Sequence, residues 1–402
     1  MHGTAMPRSG RTRAGGLLSV RDERLRPLVQ CLARHRWPVL VAAALLEGVA
    51  AQAEPIDLAM FAQIGRQLLS GDLSAVYAGD YNQSGPLQLI LAVLALPFGA
   101  TRVGLLGLHA IGNVTLVVGV ILFGRYVRQA SGRDTSPVAE LAVGAVCVAW
   151  FLPGDVWNGH LAEVGIPLLW MTAALLVRRG WAVGAAALLA LSAGLEPWGV
   201  LAVPLLLHDL RLRSLLRGGT VFALGVCALY LPFVLTGEFA LFHHAWPLGN
   251  SSLAHLVWPA ADEFTWYMRA VQGGLASGSC AAVVLLLRRR SHIQVVWLAP
   301  AAAVLGRLLL DPTMFGYYLV PVCLAAMVGA GCLDARSRWP EVVSIAAMIY
   351  LPFLSYGAAL AVASIVLSLA ATGLAVMAAL RPALWSGALN RTAGERVWLS
   401  EV

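Results

Sequence analysis

Apolar stretches recur along this chain from Trp37 to Leu380, and the polar gaps between them alternate between arginine-rich and carboxylate-rich. That alternation restricts the fold more than any other feature. About 20 apolar residues span a bilayer, and arginine-rich loops stay on the cytoplasmic side. There is no lysine, so all 28 basic side chains are arginine. Charged residues make up 12% of the chain, against about 25% in a soluble domain. An all-α, polytopic membrane protein is expected, with one membrane domain filling most of the chain.

The candidate spans run approximately over 38–53, 104–124, 138–152, 164–177, 181–195, 197–207, 218–236, 273–287, 294–310, 315–332, 342–356 and 358–380. That makes about 12 transmembrane helices, within a range of 11–13. The apolar piece 86–98 is only 13 residues long. If it crossed, Arg125, Arg128, Arg133 and the run Arg288-Arg289-Arg290 would face outward. A surface-lying or re-entrant helix avoids that conflict, since runs of 10–14 residues often do not span. The alternative is that 86–98 crosses and 181–207 forms one crossing rather than two.

With 86–98 on the surface, 24 arginines fall inside and four fall outside: Arg66, Arg102, Arg269 and Arg307. Residues 1–37 form an arginine-rich cytoplasmic segment, 38–380 the membrane domain and 381–402 a cytoplasmic tail. The first span is read as retained rather than as a cleaved signal. The long outer loops are 54–85 and 237–272. The inner loops leave no room for a soluble catalytic domain, so chemistry is expected on the outer face of a multi-pass cell-membrane protein.

The arginines cluster in short loops beside apolar spans. That pattern suits membrane orientation and argues against nucleic acid as a partner. Cys31, Cys147, Cys227, Cys280, Cys323 and Cys332 form no CxxC and most sit in apolar runs, so all six are expected as small buried residues rather than ligands or disulfides. No GxxxxGK[ST], GxSxG or HExxH appears, so ATP-driven transport, serine hydrolysis and zinc proteolysis lack support. Neither a cofactor nor a metal is expected. His160, Glu163 and Asp155 are too few for a convincing metal set. His243, His244, Trp258 and Trp266 suit a loop packed on the membrane surface. Glu47, an acid inside the first span, is a functional candidate by its position.

In the first outer loop, Leu58, Phe61, Ile64 or Gly65, and Leu68 recur at helical spacing. An amphipathic helix on the membrane surface is expected. Asp57 stands at its N-terminus, where a carboxylate can cap free amides or do chemistry. Leu68-Leu69-Ser70-Gly71, Tyr77, Tyr81, Gln83 and Gly85-Pro86 follow. With Asp57, this loop resembles the GT-C superfamily of membrane glycosyltransferases, and within it the bacterial polyprenol-phosphate-mannose-dependent mannosyltransferases. Three later segments continue the likeness. Trp157–Glu163 sits where such proteins often have a polar Gly-Gln-x-Asn-like turn. Gly194-Leu195-Glu196-Pro197-Trp198 sits at a Lys-Pro-like turn, with Glu in place of Lys. Asp311–Tyr318 resembles their late proline- and aromatic-rich segment, without its usual histidine.

The resemblance implies transfer of mannose or a related sugar from a polyprenyl phosphate to an outward-facing lipid or cell-envelope glycan, with inversion. Such chemistry needs a base for the acceptor hydroxyl and positive charge for the departing phosphate. Asp57 is the candidate base. Arg307 and Arg66 are candidate phosphate contacts. Arg66 lies nine residues along the Asp57 helix, expected about ninety degrees off its face. Arg307 can equally pair with Asp311 at i,i+4. Tyr81, Gln83, His160, Glu163, Glu196, Asp311 and Tyr317 complete the candidate substrate-binding set. The all-arginine usage suits a high-GC bacterial genome and a plasma-membrane location. A transporter or lipid flippase is the rival function. It predicts charges deep within several spans, whereas here the acids collect in outer loops, and no inverted repeat is seen. A non-catalytic membrane scaffold, the other rival, predicts that Asp57 is dispensable.

Overall fold

The computed structural model describes residues 25–380 except 51–55, 80–81, 100, 131, 133, 152–158, 237–238, 242, 250–251, 290–291, 314, 334–338 and 351–357. Tyr81, Asp155, Trp157, the first 24 residues and the tail 381–402 therefore lie outside the described residues.

The described chain is an all-α bundle. Its helices are α1 (Leu25–Arg34), α2 (Arg36–Ala50), α3 (Ile56–Ser70), α4 (Leu73–Val76), α5 (Pro86–Gly99), α6 (Arg102–Gln129), α7 (Pro137–Phe151) and α8 (Ala162–Arg178). Next come α9 (Ala182–Leu195), a 3-10 helix over Pro197–His208, α10 (Leu212–Thr236), α11 (Leu253–Val257), α12 (Trp266–Leu287) and α13 (His292–Leu309). A short 3-10 turn (Gly316–Leu319) leads into α14 (Val320–Gly331), and α15 (Trp339–Tyr350) and α16 (Ala358–Leu380) follow. The strand pairing described is two residues long: β1 (Trp246–Pro247) runs antiparallel to β2 (Glu263–Phe264), with Trp246 opposite Phe264. Among the described residues, four helices are long and apolar enough to cross a membrane: α6, α10, α12 and residues 362–380 of α16.

The polar gaps sort to the two ends of the bundle. At one end Glu140, in the first turn of α7, accepts from Arg125 Nε and Nη2, each at 2.9 Å, and from Arg36 Nε. Arg128 donates from Nη1 to Gly331 O and Leu333 O at 2.8 Å, meeting carbonyls that the end of α14 leaves open. Arg179 Nη1 reaches Tyr126 Oη at 2.5 Å. The carboxylate-rich gaps gather at the opposite end. The alternation in the sequence is thus a partition in space.

The piece 86–98 becomes α5, and both its ends lie at the carboxylate end. Gly85 N–H donates to Leu195 O at 2.8 Å beside Pro86. At the far end Phe98 O abuts Gly104, at the start of α6. Since α6 finishes at Arg125 and Arg128, α5 does not run the length of the bundle. Twenty-eight residues make α6 about 42 Å long, longer than the roughly 30 Å hydrocarbon core. Beside the start of α6, α5 packs against α3. The buried face of α3 is Leu58, Phe61, Ala62 and Gly65, the periodicity seen in the sequence.

The alternative of one crossing over 181–207 is corrected. The helix α9 and the 3-10 helix form a hairpin with its turn at Glu196, while Trp181 and Arg211 meet at the other end. Trp170 of α8 secures the turn: its indole N–H donates to Ser192 Oγ at 3.1 Å and Gly199 O at 3.0 Å. Pro197 starts the 3-10 helix and Pro204 lies inside it. Twelve residues at about 2 Å each reach roughly 24 Å. The main core packs α8, α9, this 3-10 helix, α12, α13 and α14 together.

Candidate functional site

A cavity of about 550 Å³ opens at the carboxylate end. Residues far apart in sequence line it because every carboxylate-rich gap returns to this end.

Along one wall, Asp57 and His160 meet. Asp57 occupies the first turn of α3, and its Oδ2 lies 3.0 Å from His160 Nε2. The imidazole stacks on Tyr317, with centroids 3.6 Å apart and 13° between planes. Tyr317 stacks in turn on Phe315 at 5.4 Å. Gly159 makes the approach possible. Its φ is +130°, and a Cβ there would lie 2.8 Å from Leu58 N, so a side chain is excluded by strain and by contact. Gln88 Nε2 donates to Gly159 O and fixes the turn. A histidine ring and a glycine turn thus pack around Asp57.

Arg307, in the last turn of α13, holds the centre. Its guanidinium carbon lies 4.5 Å from the Trp198 ring centroid and 4.9 Å from that of Tyr318. Glu163 Oε1 stands 3.8 Å from Nη1 and Asp311 Oδ2 stands 3.5 Å from Nε. The i,i+4 pair expected from the sequence is therefore present. Both separations exceed the 2.7–2.9 Å of a charge-assisted hydrogen bond, and Nη1 has no hydrogen-bond partner. Glu196 joins from the α9 hairpin turn, accepting from Trp198 Nε1.

Arg269 and Gln272 of α12 form the third wall. Arg269 Nη1 donates to Gln83 Oε1 at 3.2 Å and Nη2 to His244 O at 2.9 Å. Trp246 Nε1 also donates to Gln83 Oε1, at 3.1 Å. Gln272 Nε2 donates to Arg307 O at 2.9 Å. Four buried polar atoms around the cavity lack a partner: Glu163 Oε2, Arg307 Nη1, Arg269 Nε and Gln83 Nε2. Buried polar groups are normally satisfied, so these four atoms are open to water or to a ligand.

Burial raises the Glu196 carboxyl above its usual range, against the opposing pull of Arg307 and the Trp198 indole. Burial likewise pushes Asp311 up to about 6, opposed mainly by Arg307. Between roughly pH 4 and 6 the folded protein holds a proton on Asp311 that the unfolded chain has released. Asp311 therefore costs least below that window, and stability falls as pH rises through it, by at most about 3 kcal/mol. Thermal midpoints of detergent-solubilised wild type and Asp311→Asn should diverge between about pH 4.5 and about pH 7.5, with wild type losing ground at the higher pH. A constant difference would reject a raised Asp311.

Of the residues singled out from sequence, Asp57, Gln83, His160, Glu163, Glu196, Arg307, Asp311 and Tyr317 all line this cavity. Arg66 does not, and this is a correction. Nine residues at about 100° each is a half-turn, so Arg66 leaves on the face opposite Asp57 and is exposed. Glu47 and His243 also lie off the cavity. Trp198, Trp246, Arg269, Gln272, Phe315 and Tyr318 also line it, beyond the candidates expected from the sequence. For Arg269 and Gln272 a signal existed: an outer arginine with a glutamine at i+3 shares one helix face. The loop assigned to 237–272 ends earlier, because α12 begins at Trp266 and makes both residues helical. Among the described residues no group of three or more His, Cys, Asp or Glu could hold a metal ion.

No protein-family model matches the chain, and no curated protein matches it.

Proposed function

We propose that this protein is a membrane glycosyltransferase of the GT-C kind, moving mannose or a related sugar from a polyprenyl-phosphate donor to an outward-facing lipid or glycan. One observation carries the reading. A carboxylate held by a stacked histidine and an aromatic-sandwiched arginine with an unpaired donor line one cavity, at one end of an apolar bundle. In the reaction the acceptor hydroxyl gives its proton to Asp57, and its oxygen bonds to the sugar's anomeric carbon. The bond from that carbon to the phosphate oxygen breaks, and the lipid phosphate leaves with the electron pair. Arg307, with Arg269 beside it, meets the charge that develops there. Trp198, Tyr317 and Tyr318 offer faces for a sugar ring, and the carboxylates and Gln83 suit its hydroxyls. The test is incubation of purified protein with polyprenyl-phosphate mannose and a mannoside acceptor, following released polyprenyl phosphate. No release across acceptor classes and donor sugars rejects the reading.

His160 orients Asp57 in this scheme rather than touching the donor. His160→Gln should lower kcat about tenfold while leaving the donor KM near its wild-type value. A raised donor KM at unchanged kcat would make His160 a substrate contact instead.

The same reading has twelve crossings with both termini cytoplasmic and the cavity outside. In a background lacking Cys31 and Cys227, Ser70→Cys should label from outside intact cells. Gln129→Cys should label only after permeabilisation. The reverse pattern would invert the protein and remove the cavity from the outer face.

A further inference from the structure

At the end of the bundle away from this cavity, a second hollow of about 470 Å³ opens where α9 and α10 begin. Arg211, Arg213 and Arg217 line it, all exposed. The one carboxylate lining it is Asp209, whose Oδ1 accepts the Arg211 backbone N–H at 3.1 Å. Orientation across a membrane requires only that arginines lie on one side. It does not require that three converge on one hollow, nor that Arg213 and Arg217 stand at i,i+4, where like charges destabilise a helix. An anion between them reverses that cost. The first residues of α9 line the same hollow, and Trp181 supplies no side-chain cap, so their amides add positive potential. Uncovered apolar surface adjoins the arginines: Trp181 is 66% exposed, and Val183, Leu212 and Leu216 are exposed too. A free anion has no use for such a skirt, whereas an amphiphile does.

We propose that this hollow binds the phosphate headgroup of an anionic lipid. The arginine forks take the phosphate oxygens, and the acyl chains lie along Val183, Leu212 and Leu216. The site is independent of the sugar-transfer reading. Native mass spectrometry of the detergent-solubilised full chain tests it, with dioleoyl phosphatidylglycerol, dioleoyl phosphatidylcholine and inorganic phosphate as separate probes. Phosphatidylglycerol should bind in preference to phosphatidylcholine. Each of Arg211→Gln, Arg213→Gln and Arg217→Gln should weaken it about fivefold, and the triple variant on the order of a hundredfold. Arg102→Gln, an exposed arginine at the opposite end, should change nothing. If the triple variant does not fold, the single variants carry the test. Inorganic phosphate binding as tightly as the lipid would overturn the lipid assignment. Equal losses in Arg102→Gln, or none in the single variants, would overturn the site itself.

Discussion

Asp57→Asn should lower sugar transfer by about 10²–10⁴-fold, the usual cost of losing a positioned general base. The amide keeps the size of the side chain and can still hydrogen-bond to His160, but it cannot accept a proton at neutral pH. Donor binding and thermal stability should therefore hold close to wild type. Asp57 is 36% exposed at its side chain, so the substitution strands no buried charge. The measurement is single-turnover transfer from polyprenyl-phosphate mannose, with donor affinity determined separately. Near wild-type turnover would leave Asp57 a helix-start residue that happens to meet a histidine, and the scaffold reading would gain.

Arg307→Ala should have the second large effect, through the donor. Loss of one electrostatic stabiliser of the leaving phosphate costs roughly 2–4 kcal/mol of transition-state energy. The residue also lies among Glu163, Glu196 and Asp311. Removing the cation from buried carboxylates can cost about 3–5 kcal/mol of stability, so Arg307→Lys is needed beside it. Lysine keeps the charge but loses the planar fork and the stacking between Trp198 and Tyr318. Its transfer rate should fall between those of alanine and wild type, with stability largely restored. Varying each substrate in turn should place both losses on the donor, and Arg66→Ala should be silent. Unchanged donor kinetics in Arg307→Lys and in a folded Arg307→Ala would move the phosphate to Arg269 or to backbone amides.

Several features of the site were legible in the sequence because they depend on local pattern. Leu58, Phe61 and Gly65 recur at helical spacing, so the buried face of α3 could be read before any packing was known. Arg307 and Asp311 are four apart at a helix end, and their pairing follows from helix geometry. The outlying position of Arg66 was also open to reading, since nine residues make a half-turn rather than a quarter-turn.

Other features depend on contacts that leave no trace in spacing. Asp57 and His160 are 103 residues apart, and their meeting rests on the backbone of Gly159 packing against Leu58. Arg269 reaches Gln83 across 186 residues, and Trp198 joins Arg307 only because the α9 hairpin turns at the cavity. By itself the sequence determined that the chain is an apolar helical bundle whose arginine-rich and carboxylate-rich gaps lie at opposite ends, because helix period and charge placement are local and additive along a chain. Only the tertiary structure decided which of the carboxylate-end residues share a cavity, and which donor atoms of its arginines are left without a hydrogen bond. Those outcomes depend on the relative rotation and depth of helices, which close packing sets and spacing along the chain does not record.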